Sequence, residues 1–421
     1  RFGGVEIYRR IYKVEAIDDK TFTVFVDRLT FDYNALPLQL LPAHLEKPIF
    51  DEDPANYHQR NGYGTNPTQP GLYHGPYRLA EVERGSQLTF VPNDHWGGQP
   101  PQFSQITIKT IPNTAALEAN LLSGELDLIA GEAGITIDQA LAFERRHGDR
   151  YQVLFKPGLV YEHLDVMLDN PILADVRVRR ALLHGVDRQA INQQLFGGRQ
   201  PVAHTNVNPL DWVYTDRIPQ YDYDPNKAKA LLEEAGWRLR GSFRFNDAGE
   251  KLAFDIMTTS GNRSRELVQQ VLQTQWRQLG IDARINNQAA RVFFGQTLDR
   301  RQFRGLAMFA WISSPESVPR TTLHSAEIPG EANSWRGQNY PGYRNPEMDA
   351  LIDAIEKELD RGRRKALWAE LQTLYARDLP ALPLFFRADA HVLPRRLEGL
   401  EPTGHQYPTT LWVEDWRLME P

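Results

Sequence analysis

The spacing of apolar residues changes along this sequence. In the first third, Val, Ile and aromatic residues alternate with polar residues in short runs, at 12–17, 21–27, 87–92 and 105–111. A period of two predicts β-strands, and the polar residues 18–20 predict a hairpin turn between the first two runs. Residues 51–70 are rich in Pro, Asn, Gly and Asp and predict a long surface loop or the edge of a subdomain. We therefore expect a β-rich beginning.

Helical spacing becomes frequent after residue 113, and capping residues mark where the helices begin. Asp224 precedes Pro225 and an apolar stripe that ends at Gly236, which predicts a helix with Asp224 as its N-cap. Asn113 and Asp175 predict two further N-caps by the same reasoning.

The remaining pattern alternates strands with helices. Strand 252–257, helix 266–279 and strand 281–285 follow one another, and a crossover of that length favours a parallel pair. The other predicted elements are strands at 126–129, 161–168, 306–311 and 382–386 and helices at 137–147, 346–359 and 364–379. Together with the first third, this order predicts an α/β chain of at least two lobes.

Composition narrows the class of protein. The 421 residues allow two or three domains, and 41% hydrophobic with 24% charged residues is typical of a globular protein with a sizeable core. The 48 Lys+Arg against 54 Asp+Glu give a net charge of −6, which argues against a nucleic-acid binder. No apolar run approaches the roughly 18 residues of a membrane span. Cysteine is absent, which excludes disulfides, thiolate metal sites and a cysteine nucleophile.

No catalytic or cofactor motif emerges from the sequence. The eleven histidines form no H-x-H or H-x-x-x-H pair, and G-x-S-x-G, Walker A and G-x-G-x-x-G patterns are missing. No cofactor and no metal are therefore predicted. A partial calcium-loop pattern begins at Asp222, but Lys227 stands where the loop needs glycine, so the helix cap is the preferred interpretation.

Several aspartates are candidates for carboxylate pairs that carry out acid–base chemistry. Nothing in their spacing places two of them on one face, so we interpret them as solvated or capping groups. They are Asp127, Asp165, Asp169 and Asp175.

Several segments resemble the bacterial extracellular solute-binding proteins of family 5, the oligopeptide-, dipeptide- and nickel-binding components of ABC importers. They occur in the same order as in that family. The matching segments are G-P-Y-R-L at 75–79 with N-D-H-W-G-G at 93–98, L-L-S-G-E-L-D at 121–127, D-V-R-V-R-R-A-L at 175–182 with V-D-R at 186–188, Y-D-P at 223–225, the N-Y, Y, N-P and D residues between 339 and 349, and the closing strand 380–386. The motif residues themselves are mostly caps, turns and helix ends, so we expect them to be architectural.

The resemblance implies an α/β, two-lobed periplasmic-binding-protein fold of type II, in the large peptide-binding cluster, with a hinge and a first lobe incomplete at its N-terminus. Residues 1–74 would be a remnant of the N-terminal β-rich subdomain, 75–168 with 390–421 the first lobe, and 169–389 the second lobe. Family members carry a signal and a first part of the N-terminal lobe upstream of the segment where this chain starts. We therefore expect an exposed sheet edge, or a non-covalently retained fragment, in the first lobe.

The resemblance also directs the search for ligand contacts to the segment after Trp311. In peptide-binding relatives an Asp three residues after this Trp pairs with the free amino group of the peptide, whereas Ser314 stands there in this chain. A neutral hydroxyl does not replace a carboxylate in that pairing. Met167 stands where many relatives carry Asn. A blocked or modified peptide, a sugar-like solute and another oligomeric ligand therefore all stay open.

Aromatic side chains for stacking and polar groups for orientation make up the predicted ligand-binding set. The set is Tyr161, His163, Trp311, Ser313, Ser314, Glu316, Gln338, Asn339 and Tyr340.

The function implied is that of a monomeric binding protein and not an enzyme. It would deliver a peptide or peptide-like solute to the membrane permease of an ABC importer, from the periplasm or as a cell-surface lipoprotein, without nucleic acid. Two alternatives stay open on the sequence: a hydrolase that uses clustered carboxylates, and the ligand-sensing part of a transcription regulator.

Overall fold

The computed structural model describes residues 10–33, 40–131, 134–404 and 409–419. The helices of eight or more residues in these ranges are α1 (Ala43–Glu52), α2 (Thr114–Ser123), α3 (Ile137–His147), α4 (Val176–His184), α5 (Arg188–Phe196), α6 (Pro225–Glu234), α7 (Arg263–Gln278), α8 (Pro346–Lys357) and α9 (Arg361–Asp378). The strands are β1 (Ile11–Ala16), β2 (Phe22–Val26), β3 (Tyr77–Glu83), β4 (Gln87–Pro92), β5 (Ile106–Lys109), β6 (Tyr151–Val166), β7 (Arg238–Arg240), β8 (Phe243–Phe245), β9 (Ala253–Met257), β10 (Asp282–Ile285), β11 (Leu306–Ile312), β12 (Ala381–Pro394), β13 (Leu397–Glu398) and β14 (Arg417–Leu418).

The chain divides into two compact units. Unit 1 takes in Arg1–Leu36 and Pro157–Ala388, and unit 2 takes in Pro37–Lys156 and Asp389–Pro421. The boundary therefore falls inside β6 and inside β12. The three-part division made from the sequence stays a prediction, and residues 1–9 and 34–39 of its first segment lie outside the described residues. Within the described ranges, no helix has the length and apolar character needed to cross a membrane.

The main sheet of unit 1 has five strands in the order β10-β9-β11-β6-β12. Strands β9 and β10 are parallel, with α7 as the crossover between them, which confirms the pairing predicted from the strand–helix–strand pattern. Strand β11 is parallel to β9 and antiparallel to β6. Helices α8 and α9 pack together through an apolar cluster that includes Ile352 and Trp368. This sheet is the platform on which the candidate site is built.

The predicted helix caps are confirmed. Asp224 accepts a hydrogen bond from the backbone N–H of Lys227 at 2.9 Å, and Pro225 is the first residue of α6. The segment that resembled part of a calcium loop is therefore a capped helix. Asp175 accepts the N–H of Arg177 at 2.8 Å at the start of α4. Each cap satisfies a backbone donor that a helix start leaves without a partner.

The long loop predicted as one alternative for 51–70 is wrong, because short helical turns fill the segment, and the edge of a subdomain stays a prediction. Asp53 and Asn61 each accept a backbone N–H and so start a single turn, and Glu46 is buried and accepts the N–H of Gly62 at 2.9 Å. The composition rich in Asn and Asp thus serves repeated capping. The turns are Pro54–Asn56, Tyr57–Arg60 and Gly62–Thr65.

Three strand predictions also need correction. The strand expected at 161–168 begins ten residues earlier, at Tyr151, and the one expected at 382–386 extends to Pro394. The strand expected at 126–129 is reduced to one bridge between Ile129 and Val392 within unit 2.

Unit 2 contains the antiparallel sheet β3-β4-β5 and the pair β13-β14. The β1–β2 hairpin belongs to unit 1 and is antiparallel, which confirms the prediction from alternation. In the described residues β1 pairs with β2 alone, and Tyr12 and Val14 on β1 are 69% and 59% exposed. The predicted cause of such exposure, a missing upstream segment, stays a prediction.

Candidate functional site

A cavity of about 140 Å³ lies in unit 1 on one face of the five-stranded sheet. Because side chains alternate along a strand, Tyr161, His163 and Asp165 of β6 share this face. Trp311 of β11 lies directly opposite Tyr161 in the antiparallel pairing, so it joins them. The predicted residues that line the cavity are Tyr161, His163, Trp311, Ser313 and Gln338.

Four of the predicted residues form a continuous row of stacked rings. The ring centroids of Tyr161 and His163 are 4.9 Å apart at an interplanar angle of 6°. His163 and Trp311 follow at 6.5 Å and 16°, and Trp311 and Tyr340 at 5.9 Å and 21°. Tyr340 thus supports the far face of Trp311, although it is not among the residues that line the cavity. The contacts between the rings hold the row in place, and three of its members, Tyr161, His163 and Trp311, line the cavity.

Two tyrosines in the lining of the cavity, Tyr161 and Tyr375, have their hydroxyl groups close together. The hydroxyl oxygens of Tyr161 and Tyr375 are 2.9 Å apart, and both side chains are buried. Burial raises the pKa of Tyr161 well above its usual range and raises the pKa of Tyr375 as well. Both phenols therefore stay neutral at physiological pH.

The cavity also contains a buried carboxylate that sequence reasoning missed. Asp165 is only 4% exposed, and its Oδ1 lies 3.2 Å from His163 Nε2, while its Oδ2 has no hydrogen-bond partner. Burial raises the pKa of Asp165, and His163 opposes that rise. The interpretation of Asp165 as a solvated or capping group is therefore wrong, because it lies mid-strand and faces a cavity. Its position two residues after His163 was the available signal, since residues i and i+2 of a strand share a face.

Ser314 and Glu316 are not among the residues that line the cavity. Glu316 has a positive φ of 54°, and its carboxylate accepts hydrogen bonds from Arg364 Nε at 3.0 Å and from the indole N–H of Trp212. The Ser314 carbonyl accepts the N–H of Ser317 at 3.1 Å. These bonds hold the segment that follows β11 in place. Ligand contact by either residue stays a prediction.

Asn339 is fully buried and belongs to the framework next to the cavity. Its Nδ2 donates to the carbonyl oxygens of His324 at 3.1 Å and Tyr343 at 2.9 Å, and its Oδ1 accepts the N–H of Tyr343 at 2.9 Å. All the hydrogen-bonding groups of this amide are thus used inside the protein. Ligand contact by Asn339 stays a prediction.

We predict that Asn339→Ala lowers the free energy of unfolding by roughly 2–4 kcal/mol, because three buried hydrogen bonds are lost. Chemical denaturation of the purified variant measures this. The matched control is the neighbouring Gln338→Ala, which we expect to weaken ligand binding with a change in stability below about 1 kcal/mol. Unchanged stability of Asn339→Ala would contradict the assigned role.

Among the described residues, no group of three or more His, Asp or Glu side chains is placed to hold a metal ion. The additional residues that line the cavity come mainly from connecting segments at 206–211 and 317–323. No sequence pattern indicated these segments, because tertiary packing alone brings them to the sheet.

Residues 5–329 match the family described as "Bacterial extracellular solute-binding proteins, family 5 Middle". Among curated proteins, the oligopeptide-binding protein AppA of Bacillus subtilis (strain 168) is 25% identical over 387 residues, which cover 90% of this chain and 66% of AppA. The dipeptide-binding protein of Escherichia coli (strain K12) is 23% identical over 347 residues, covering 81% of this chain and 61% of that protein. The chain therefore spans about three fifths to two thirds of the length of these relatives.

Among solved structures, the oligopeptide-binding protein AppA from Bacillus subtilis in complex with a nonapeptide aligns with a TM-score of 0.74 at 24% sequence identity. The alignment covers 99% of this chain and 79% of that one. At this identity the likeness establishes the fold. The two-lobed α/β fold expected from the sequence is thereby confirmed, and ligand identity has to be argued from the site.

Proposed function

The chain belongs to the bacterial extracellular solute-binding proteins of family 5, and from this premise we propose that it binds a peptide or peptide-like solute and delivers it to the membrane permease of an ABC importer. The proposal places the protein in the periplasm or at the cell surface and has it act as a monomer. The observation that supports it is the cavity of unit 1, where residues distant in sequence bring a stacked aromatic row and a buried carboxylate together.

The cavity has the size of one chemical group of a solute. Its volume of about 140 Å³ is close to that of an engineered cavity of about 150 Å³ that binds benzene. One amino-acid side chain or one chain terminus fits such a space, whereas a whole oligopeptide does not. In this proposal the cavity holds one residue of the solute, and the rest of the solute lies outside it. Flat aromatic walls with a few oriented polar groups are typical of binding sites of this kind.

Domain closure is the second part of the proposal. The boundary between the units falls within β6 and β12, so bending in these two strands is the motion we expect on binding. Small-angle X-ray scattering of the whole chain with and without solute measures this, and a smaller radius of gyration with solute is the expected result. An unchanged radius of gyration at saturation would remove this part of the proposal.

A peptide screen tests the proposal as a whole. The whole chain is incubated with a library of random peptides of two to nine residues, because the relative described above was solved with a nonapeptide. Protein-bound peptides are separated by gel filtration under native conditions and identified by mass spectrometry. We expect saturable retention of a defined subset at one peptide per chain. If a chain that unfolds cooperatively retains no peptide, the proposal fails.

A further inference from the structure

We propose that Asp165 is the anionic anchor of the cavity, and that the group it holds is a protonated amine of the solute. The inference rests on the proposed function and specifies the solute class for the same cavity. A protonated amine can come from a free peptide N-terminus or from a basic side chain, and the two sources share this chemistry.

The first argument is the free oxygen of Asp165. Both ring nitrogens of His163 face oxygen atoms of the protein, since Nε2 lies 3.2 Å from Asp165 Oδ1 and Nδ1 lies 3.2 Å from the Tyr161 carbonyl oxygen. Nε2 lies within ion-pair distance of Oδ1 but makes no hydrogen bond with it, so this nitrogen and Asp165 Oδ2 are both buried without a hydrogen-bond partner. Oδ2 of Asp165 is buried without a hydrogen-bond partner on the lining of the cavity. Buried polar atoms of native proteins are nearly always paired, so an unpaired one in a cavity indicates a group that arrives with the ligand.

The second argument is the balance of charge around the cavity. Asp165 and Asp211 are the acidic residues in its lining, and the described residues of that lining include no Lys or Arg. Asp211 already accepts backbone N–H groups on both carboxylate oxygens, from Val213 at 3.3 Å and Glu316 at 2.7 Å. A buried carboxylate whose cavity is lined by no Lys or Arg favours a cationic partner, because charge-assisted hydrogen bonds strengthen where water is excluded.

The nearby buried guanidinium does not supply this cation. Arg188 donates to the carbonyl oxygens of Ala203 at 2.6 Å, Pro383 at 2.9 Å and Tyr221 at 2.8 Å. Its hydrogen bonds hold the backbone together, and it is not among the residues that line the cavity.

The third argument is the aromatic row on the same face. Tyr161, His163 and Asp165 occupy alternate positions of β6, so the carboxylate lies next to His163 on the same face of the sheet as the stacked rings. The indole of Trp311 continues that row at 6.5 Å from His163. The faces of Trp and Tyr attract cations through the quadrupole of their π systems. The same cavity thus offers an ammonium group of the solute both a carboxylate oxygen and aromatic side chains.

Three probe pools of tripeptides to pentapeptides separate the sources of the amine. The first has a free N-terminus and no basic side chain, the second is N-acetylated and contains one lysine, and the third is N-acetylated without any basic residue. All have amidated C-termini. Binding to the whole chain is measured by titration calorimetry at pH 7. We expect at least one cationic pool to bind about 30-fold or more tightly than the neutral pool, as for other buried charge pairs.

Two isosteric variants assign the preference to one carboxylate. Asp165→Asn should reduce the preference for amines to about threefold or less, with little effect on the neutral pool. Asp169→Asn is the matched control. Asp169 lies four residues after Asp165 and its side chain is 69% exposed, so this variant removes the same charge and should keep the preference for amines. The unfolding midpoint of unliganded Asp165→Asn should equal or exceed that of the unliganded wild type, because burial of this carboxylate destabilises the native fold. A purely structural carboxylate would give a lower midpoint.

The outcomes distinguish the inference from the proposed function. If the neutral pool binds as tightly as the cationic pools, or if Asp165→Asn keeps the preference, the inference is wrong while the proposed function stands. If no pool binds to the folded chain, both are wrong. Preference for amines that disappears in Asp165→Asn and persists in Asp169→Asn supports the inference.

Discussion

Replacing Trp311 with alanine is expected to weaken solute binding by roughly 30- to 1000-fold, which corresponds to about 2–4 kcal/mol. Trp311 lines the cavity and is stacked between the rings of His163 and Tyr340, so its side chain is ordered before a solute binds. Trp311 is partly buried, and tryptophans in well-packed pockets are the residues whose truncation costs most in binding sites.

Calorimetric titration with a peptide retained in the screen measures this loss, and two variants control for other causes. Trp311→Phe keeps a ring and should retain most of the affinity. Trp412→Ala removes an indole that is 42% exposed in unit 2 and should leave binding unchanged. Tight binding by Trp311→Ala, with a normal unfolding curve, would show that the solute is bound elsewhere.

Replacing Arg188 with methionine is expected to lower the free energy of unfolding by about 3–5 kcal/mol, since three backbone carbonyls lose a charged donor. Arg188 is the first residue of α5, and its side chain links this helix by hydrogen bonds to the backbone carbonyls of residues 203, 221 and 383. Burial lowers the pKa of Arg188 to about 10, so the guanidinium is still charged at pH 7. Methionine fills much of the volume but donates no hydrogen bond. The motif arginine thus has an architectural role, as expected from the sequence.

Thermal and urea denaturation measure the effect, with a lowering of the unfolding midpoint of roughly 6–15 °C. Arg363→Met is the matched control, because this arginine is 74% exposed on α9, and its change should stay within about 0.5 kcal/mol. A variant Arg188→Met with wild-type stability but impaired binding would instead assign Arg188 to the site.

The helices could be predicted from the sequence because their ends are determined locally. Asp224 with Pro225, and Asn113 before α2, supply side-chain acceptors and fixed backbone angles that need no tertiary partner. The parallel pair β9–β10 followed from the length of its crossover. These features depend on neighbours within a few residues or on chain length alone.

The length of β6 could not be predicted, because it depends on the sheet. Pro157 and Gly158 indicate a strand end locally, yet β6 passes through both. The register with β11 starts only at Val160, so Pro157 opposes no donor position of that neighbour. The helical turns after α1 were missed for a related reason. Their capping acceptors have the same composition as a loop.

The site was partly predictable. The motif resemblance led to Trp311, and Tyr161 and His163 were predicted contacts in a predicted strand. The structure brings the three together. Asp165 shares that face two residues after His163, which was the available signal, but its burial depends on segments remote in sequence. Asn339 differs from Asp165, because the side-chain amide of this motif residue forms hydrogen bonds with the protein backbone.

The central claim is that a solute bound at the cavity of unit 1 leaves chemically unchanged. Mass spectrometry of a retained peptide, incubated for a day with the whole chain at a tenfold excess of peptide and then released, tests it most directly. The account predicts one bound peptide per chain and an unaltered mass for all recovered peptide. Cleaved peptide that disappears when Asp165 is replaced by asparagine would contradict the account and indicate a hydrolase.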